Sequence, residues 1–522
     1  MGEPVVAKCG AWTKNAVLLA GFVLVGATAA SGQAVAPNKE NAKPQAPMTQ
    51  AQAKELFRSV DEILGFVSSD TKLPIEHSVK RKLISRDQVE KYLKEKFAED
   101  ESTKRMERAE LVLKKFGMLD RDFHLRPFML TLLTEQIAGF YDNKSKTVNL
   151  LDWIQPEEQK PVLAHELTHA LQDQKVGLTK WSDVSMNDTS KNVKDDTKHL
   201  QVDEAETARE AVAEGQAMAV FIDYTLKPSG KTLVDTPPEL IAKLKDTTSD
   251  TSSSPVMARA PLLLQESLLF PYADGLGFEH AILVKGGKEA AFAGVLMNPP
   301  SSSFEILHPE AYMAHVPVPT LRLPDIHPLI DAEYEPYDLG VMGELDVRIL
   351  AELFGGREMA QGLSPDWNGG IYYAAQKKGA TPAEKESTAS LGLLYYSRWK
   401  NPDSAKTFMR IYAAQLARKY SKVSQREQDQ ASDSEQVYTT NEGDVLLSLS
   451  GTNVFVSEGF ALPLARKLRD SIASVQSEGP VRMAVEGGEP ALSLARYARS
   501  FGMMKFAGRY TSEGHSTGLI HQ

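Results

Sequence analysis

The sequence is almost without cysteine, since its 522 residues contain only one, Cys9. That residue precedes an apolar run (Ala16 to Ala30) that has the character of an export signal, so removal of the signal would leave no thiol. Disulfide bonds could not stabilise such a chain, and neither a cysteine nucleophile nor a cysteine metal ligand would be available. Any metal ion must therefore be bound by histidine, aspartate or glutamate.

Long hydrophobic runs and blocks of like charge are also missing. The run from Ala16 to Ala30 has 15 residues, fewer than the ~20 that a membrane-spanning helix needs. Lys8 and Lys14 precede it and small residues follow, which predicts a signal peptide over residues 1–34. We expect an exported protein, periplasmic or extracellular, or one tethered to the membrane by an uncleaved signal. The net charge of -10 repels phosphate backbones and argues against nucleic acid as a partner.

The rest of the chain predicts a helix-rich α+β protein. Residues 35–50 have the composition of a flexible linker, and residues 51–118 carry apolar residues at helical spacing, which predicts a helical N-terminal segment. Residues 119–330 hold the motifs that carry chemistry and form the predicted core. Residues 331–522 mix helical patterns with one hairpin pattern (Gly443 to Phe460), which predicts a C-terminal α+β region.

The stretch AHELTHALQDQ (Ala164 to Gln174) places His165 and His169 four residues apart, with Glu166 between them. Residues at this spacing share one face of a helix, so both imidazoles could bind one ion. Glu166 would lie beside the pair, where a carboxylate can serve as a general base. This is the H-E-x-x-H arrangement of zinc metallopeptidases. A helix with two incidental surface histidines is the alternative interpretation.

A catalytic zinc ion needs a third protein ligand and one open position for water. A second predicted helix (Gln201 to Leu226) offers Glu206, Glu210 and Glu214 at intervals of four residues. The carboxylates of such a stripe repel one another in water, and a nearby divalent cation would relieve this repulsion. A solvated acidic face is the alternative, and the spacing alone leaves open which glutamate binds.

A β-hairpin is predicted upstream of the histidines by QIAGFYDNKSKTVNLL (Gln136 to Leu151), with its turn at DNKSK. We expect TVNLL (Thr147 to Leu151) to be an edge strand. An extended peptide could add to it as a further strand, because main-chain hydrogen bonds at a sheet edge bind peptides in that form.

The motif HELTH, followed downstream by AEGQA (Ala213 to Ala217), resembles the gluzincin metallopeptidases, which bind zinc through two histidines and a glutamate. By this resemblance Glu214 is the third ligand, with Glu210 in reserve, and Gly215 leaves room for a close helix approach. More specifically, segments between residues 136 and 355 resemble exported bacterial proteins with a gluzincin-like (peptidase MA-like) core. The implied core combines a sheet edge, the H-E-x-x-H helix and the glutamate helix, with mostly helical regions on either side.

Two departures from the gluzincin pattern matter. The chain has no GAMEN-like signature, so the resemblance does not imply aminopeptidase activity. Met218 stands four residues after Glu214, where an aspartate usually supports a zinc histidine, so that support must come from elsewhere. Asp173, four residues past His169, could orient a ligand, or it could be an exposed carboxylate at the helix end.

The expected function is zinc-dependent hydrolysis of bonds in a peptide or protein substrate. Zinc would activate water and polarise the scissile carbonyl, and Glu166 would move the proton from that water to the leaving amine. The oxyanion needs a further donor, for which His308, Tyr312 and Tyr272 are candidates. The first alternative is a catalytically silent zinc-binding scaffold or binding module of the cell envelope. The second is a helical protein with incidental histidines. The presence of Glu166 favours the enzyme, because binding alone needs no general base.

Overall fold

Helices predominate in the structure, a computed structural model that describes residues 48–97, 100–137, 139–182, 192–237, 241 and 254–478. Two sheets accompany them, which confirms the predicted α+β class. The predicted signal peptide and nearly all of the predicted linker lie outside the described residues, so both stay predictions. Among the helices that the structure describes, none has the length and apolar character needed to cross a bilayer.

The N-terminal part of the chain is mostly helical, as predicted, but it also contains a strand. Its elements are α1 (Gln50–Thr71), β1 (Lys80–Ile84), α2 (Arg86–Phe97), α3 (Asp100–Phe116) and α4 (Leu125–Gln136). Helix α1 begins at a capping box, in which the Thr49 hydroxyl accepts a hydrogen bond from the Gln52 backbone.

The first sheet has three strands in the order β1, β3, β2, where β2 is Phe140–Asp142 and β3 is Thr147–Leu151. Strands β2 and β3 form the predicted hairpin. The prediction that β3 is an edge strand is wrong, because β1 pairs with it in parallel along its whole length. Strand β3 is therefore the central strand, and β2 is the edge strand next to it.

Four helices follow the hairpin: α5 (Pro156–Val176), α6 (Leu178–Ser182), α7 (Val193–Val202) and α8 (Ala205–Leu226). Helix α5 starts at Pro156 with two glutamates in its first turn and ends at Gly177, which adopts a left-handed conformation with φ 67°. Residues 161–173 of α5 and 208–221 of α8 are buried on every side. Both helices therefore run through the interior, where α5 packs between α1 and α8.

Helix α9 (Leu262–Glu289) packs along α8 and then leaves regular helical form. Gly287 breaks it with φ 73°, and a π-helical segment (Ala290–Gly294) follows. Four short helices complete this part: α10 (Val295–Met297), α11 (Ser303–Leu307), α12 (Pro309–Met313) and α13 (His327–Ile330).

Two glycines bring α8 and α9 unusually close together. A Cβ atom on Gly215 would lie 2.2 Å from the carbonyl oxygen of Gly275, and one on Gly275 would lie 2.2 Å from that of Ala211. Only glycine fits at either position, because backbone atoms would otherwise overlap. The predicted close approach at Gly215 is therefore confirmed, and it fixes the part of α8 that carries Glu214.

The C-terminal part contains a seven-stranded antiparallel sheet in the order β4, β5, β6, β10, β9, β8, β7. Its strands are β4 (Tyr334–Val341), β5 (Trp367–Lys377), β6 (Leu391–Trp399), β7 (Val423–Gln425), β8 (Glu435–Thr440), β9 (Gly443–Ser450) and β10 (Asn453–Glu458). Its helices are α14 (Glu344–Gly355), α15 (Arg357–Leu363), α16 (Pro382–Lys385), α17 (Pro402–Lys419) and α18 (Leu462–Val475). Strands β9 and β10 form the hairpin that the sequence predicts.

Side chains alternate across this sheet, so its two faces belong to different hydrophobic clusters. In β6, Leu393 and Tyr395 join the main core, which also holds α17. Leu394 and Tyr396 join a second cluster, which holds α18. The main core also contains the apolar residues of α5, α8 and α9, so one face of the C-terminal sheet is continuous with the interior around the histidines.

The glycine contact gives a stability prediction with a control in the same helix. We expect Gly275→Ala to lower the free energy of unfolding by about 1–3 kcal/mol, because the added methyl group meets backbone that cannot rotate away. Gly277→Ala should leave stability unchanged or slightly higher, because no atom lies within 4 Å of its Cβ position and alanine favours helix. Chemical denaturation of both variants measures the difference. Equal stabilities would contradict the proposed close contact.

Candidate metal centre

The three predicted metal ligands converge in the interior of the molecule. His165 and His169 lie one turn apart on α5, and Glu214 faces them from α8. Their exposures are 0%, 5% and 2%, so these polar groups are withdrawn from water. Buried polar groups of this kind are costly unless they are paired with each other or with an ion.

The ligand atoms form a small triangle. The Nε2 atoms of the two histidines are 3.0 Å apart, and the Oε2 atom of Glu214 lies 3.1 Å from Nε2 of His165 and 3.4 Å from Nε2 of His169. Ligands at the usual ~2.0–2.1 Å from a tetrahedral zinc ion are separated by ~3.3 Å. The group can therefore hold a metal ion, and its size matches that of a tetrahedral site.

The other two glutamates of the predicted stripe are not part of this group. Glu210 is fully buried one turn before Glu214, yet the three ligand atoms that come together belong to His165, His169 and Glu214. Glu206 lines a separate cavity of about 180 Å³, together with Asp203 and Glu204, near the start of α8. The structure thus favours Glu214 over the reserve candidate.

Burial and mutual pairing shift the pKa values of all three groups. Burial lowers the pKa of His165 to about 4, although its hydrogen bond to Glu214 acts in the opposite direction. Burial also acts to lower the pKa of His169, but the Glu214 carboxylate outweighs it and raises that pKa to about 9. Burial acts to raise the pKa of Glu214, but the charge of His169 and the hydrogen bond from His165 outweigh it and lower that pKa. At neutral pH the triad of His165, His169 and Glu214 therefore carries an anionic Glu214 and a protonated His169.

Glu166 lies next to the triad and has one free oxygen. Its Oε2 atom accepts a hydrogen bond of 2.8 Å from the backbone N–H of Tyr141 in β2. Its Oε1 atom has no hydrogen-bond partner within the described part of the chain. Burial raises the pKa of this carboxyl group to about 7, so it can gain or lose a proton near neutral pH.

His169 has a partner that was not foreseen from the sequence. Its Nδ1 atom lies 2.9 Å from Oε1 of Gln172, which is fully buried three residues further along α5. The Gln172 amide in turn donates to the carbonyl of Ala213 and to the side chain of Gln216. Support for one of the two histidines therefore comes from glutamines, whereas Met218 offers no such bond.

Asp173 has neither of the roles considered for it. It is 5% exposed, and its carboxylate accepts hydrogen bonds from Tyr141 Oη at 2.7 Å, Lys146 Nζ at 2.6 Å and the Leu178 backbone at 3.0 Å. These bonds attach the end of α5 to the hairpin and to α6. Asp173 therefore positions β2 against the metal centre and orients no ligand through these contacts.

The three candidate oxyanion donors differ in their surroundings. The ring of Tyr272 is nearly parallel to that of His165, with 6.4 Å between ring centroids. His308 Nε2 lies 2.8 Å from the Glu344 carboxylate, and Tyr312 Oη donates to the Asn298 carbonyl at 2.6 Å. Of the three, Tyr272 is the one whose ring stacks near a histidine of this group in the part of the chain that the structure describes. A donor role for any of the three stays a prediction.

The residues that sequence reasoning missed are Tyr141, Gln172, Gln216 and Gly275. Only Gln172 had a usable signal, because a residue three positions after His169 shares its helical face. The other three reach the centre through contacts between distant segments.

Comparisons of the chain with known protein families, with curated proteins and with solved structures give no match.

The charge state of the triad gives a prediction for metal binding. A metal ion requires a neutral imidazole, so below about pH 9 its binding here would have to displace the proton of His169. We expect about one proton to be released per ion bound at pH 8, and the release to decline as the pH rises above 9. Apparent affinity should fall about tenfold for each pH unit below 9. Calorimetric titration in buffers of different ionisation enthalpy measures the protons, and release of none at pH 8 would contradict this charge state.

Proposed function

We propose that this protein is a zinc-dependent metallopeptidase with a gluzincin-like core, in which His165, His169 and Glu214 hold the ion. The observation that carries the proposal is the position and state of Glu166. A buried carboxyl group with a free oxygen and a pKa near 7, directly beside three metal ligands, has a role in catalysis but none in metal binding alone.

Zinc, when bound, would polarise the scissile carbonyl and increase the acidity of water. Glu166 then acts as the base: it takes a proton from the attacking water and later gives it to the nitrogen of the leaving amine. The hydrogen bond from the Tyr141 backbone holds one carboxylate oxygen and leaves Oε1 for this transfer. The same proton is taken up and given back, so Glu166 returns to its starting state.

The free edge of β2 supports a peptide as the substrate. The N–H of Tyr141 points away from β3, since it donates to Glu166. The carbonyl of the same residue faces that side too, because both backbone groups of a strand residue share one side in an antiparallel pair. An extended substrate could donate a main-chain hydrogen bond to this carbonyl. The substrate would then lie next to Glu166.

Two substitutions test the assigned roles. We expect Glu166→Gln to keep the metal and to lower peptide hydrolysis at least ~100-fold, because the amide cannot accept the proton. We expect Glu214→Ala to lose the metal, because only the two histidine ligands would remain and a zinc site of this kind needs three protein ligands. Metal content by mass spectrometry and cleavage of a peptide library and an unfolded protein measure the two effects.

The matched control is Glu157→Gln, which makes the same carboxylate-to-amide change at the exposed start of α5. It should keep both metal and activity. A Glu214→Ala variant that retains zinc would contradict the ligand assignment, and Glu210→Ala would then be tested. A wild-type protein that binds zinc and cleaves nothing would favour the catalytically silent scaffold.

A further inference from the structure

A chain of buried side-chain amides leads away from the metal centre. It starts at His169, whose Nδ1 atom lies 2.9 Å from Oε1 of Gln172. The Nε2 atom of Gln172 donates to Oε1 of Gln216 at 2.9 Å and to the carbonyl of Ala213 at 3.1 Å. Both glutamines are completely buried, so water does not compete for these bonds.

The chain ends on the π-helical segment. The Nε2 atom of Gln216 donates to the carbonyl of Ala291 at 2.8 Å and to that of Phe292 at 3.1 Å. These two residues lie within Ala290–Gly294, just after the break at Gly287. π-helical turns occur often at functional sites, and here the turn presents two consecutive carbonyls to one amide.

The orientation of each amide follows from these carbonyls. A backbone carbonyl only accepts hydrogen bonds, so the NH₂ group of Gln216 must face the π-helical segment and its oxygen must face Gln172. Gln172 must then present its NH₂ group to that oxygen and to the Ala213 carbonyl. Its own oxygen is left facing His169, and this oxygen can only accept. In the neutral ring that binds a metal ion, the proton of His169 is therefore on Nδ1.

We propose that Gln172 and Gln216 are positioning residues of the metal centre, which hold His169 with its proton on Nδ1 and the lone pair of Nε2 directed at the ion. The proposal rests on the proposed function, because it gives the two amides a role only if a metal is bound there. Gln172 acts directly on His169, whereas Gln216 acts through Gln172. A histidine fixed in this way binds metal without first having to change tautomer or rotate.

Metal affinity tests the proposal without reference to activity. We expect Gln172→Leu to weaken zinc binding about 10–100-fold, as measured by competition with a chelating dye. Gln216→Leu should weaken it by a smaller factor, because Gln172 keeps its bond to Ala213. In the double variant, zinc binding should be no weaker than in Gln172→Leu alone, since Gln216 acts only through Gln172.

Gln159 provides a matched control in the same helix. It is also buried, and its amide makes three hydrogen bonds to the backbone of Leu151 and Ile154, away from the histidines. We expect Gln159→Leu to reduce stability but to leave zinc affinity unchanged. If Gln159→Leu and Gln172→Leu weaken zinc binding equally, the effect is general destabilisation and the proposal is overturned. Additive losses in the double variant would overturn the assigned order of action.

The wild-type protein offers a measurement that requires no variant to fold. In zinc-loaded protein with ¹⁵N-labelled histidine rings, nuclear magnetic resonance should show zinc-bound rings ligated through Nε2, with an Nδ1 proton protected from exchange. Ligation through Nδ1, or no protected Nδ1 proton, would overturn the proposal. A wild-type protein that binds no zinc would overturn the proposed function as well. Zinc bound equally well by wild type and Gln172→Leu would overturn only the positioning role.

Discussion

The burial of one carboxylate among apolar helices is the constraint on which the centre of this molecule depends. An isolated anion in such a place is strongly destabilising. Glu214 is tolerated because two imidazoles lie within 3.4 Å of its oxygen, and their hydrogen bonds and charge lower its pKa despite burial. The same pairing retains a proton on His169. A divalent cation would replace that proton and would be bound by the anionic Glu214 carboxylate between the two imidazoles.

The surrounding fold holds these side chains in fixed positions relative to one another. The contact between Gly215 and Gly275 fixes the position of α8 against α9, and with it the position of Glu214. Asp173 attaches the far end of α5 to the hairpin, and through Tyr141 the hairpin holds Glu166. Each of these contacts joins two different elements and leaves little freedom for the side chains between them. A preorganised site of this kind would suit the proposed catalysis, because little reorganisation would be required when a substrate binds.

Local patterns in the sequence predicted the parts of this centre that lie within single elements. The spacing of His165, Glu166 and His169 follows from helical periodicity, and the hairpin follows from its turn residues. Strand β1 was not predicted, because Lys80, Arg81 and Lys82 give it a charged pattern and its partner β3 lies more than 60 residues further on. That missing strand is also the reason why β3 was wrongly expected to be an edge. The strand order of the C-terminal sheet likewise depends on distant pairings.

The central claim is that one ion binds where the three ligand atoms meet. The most direct measurement is anomalous diffraction at the zinc absorption edge from crystals of the zinc-loaded protein. We expect a single internal peak at ~2.0–2.2 Å from Nε2 of His165, Nε2 of His169 and one carboxylate oxygen of Glu214. The absence of a peak at this position, or a peak coordinated by Glu210 in place of Glu214, would contradict the assignment.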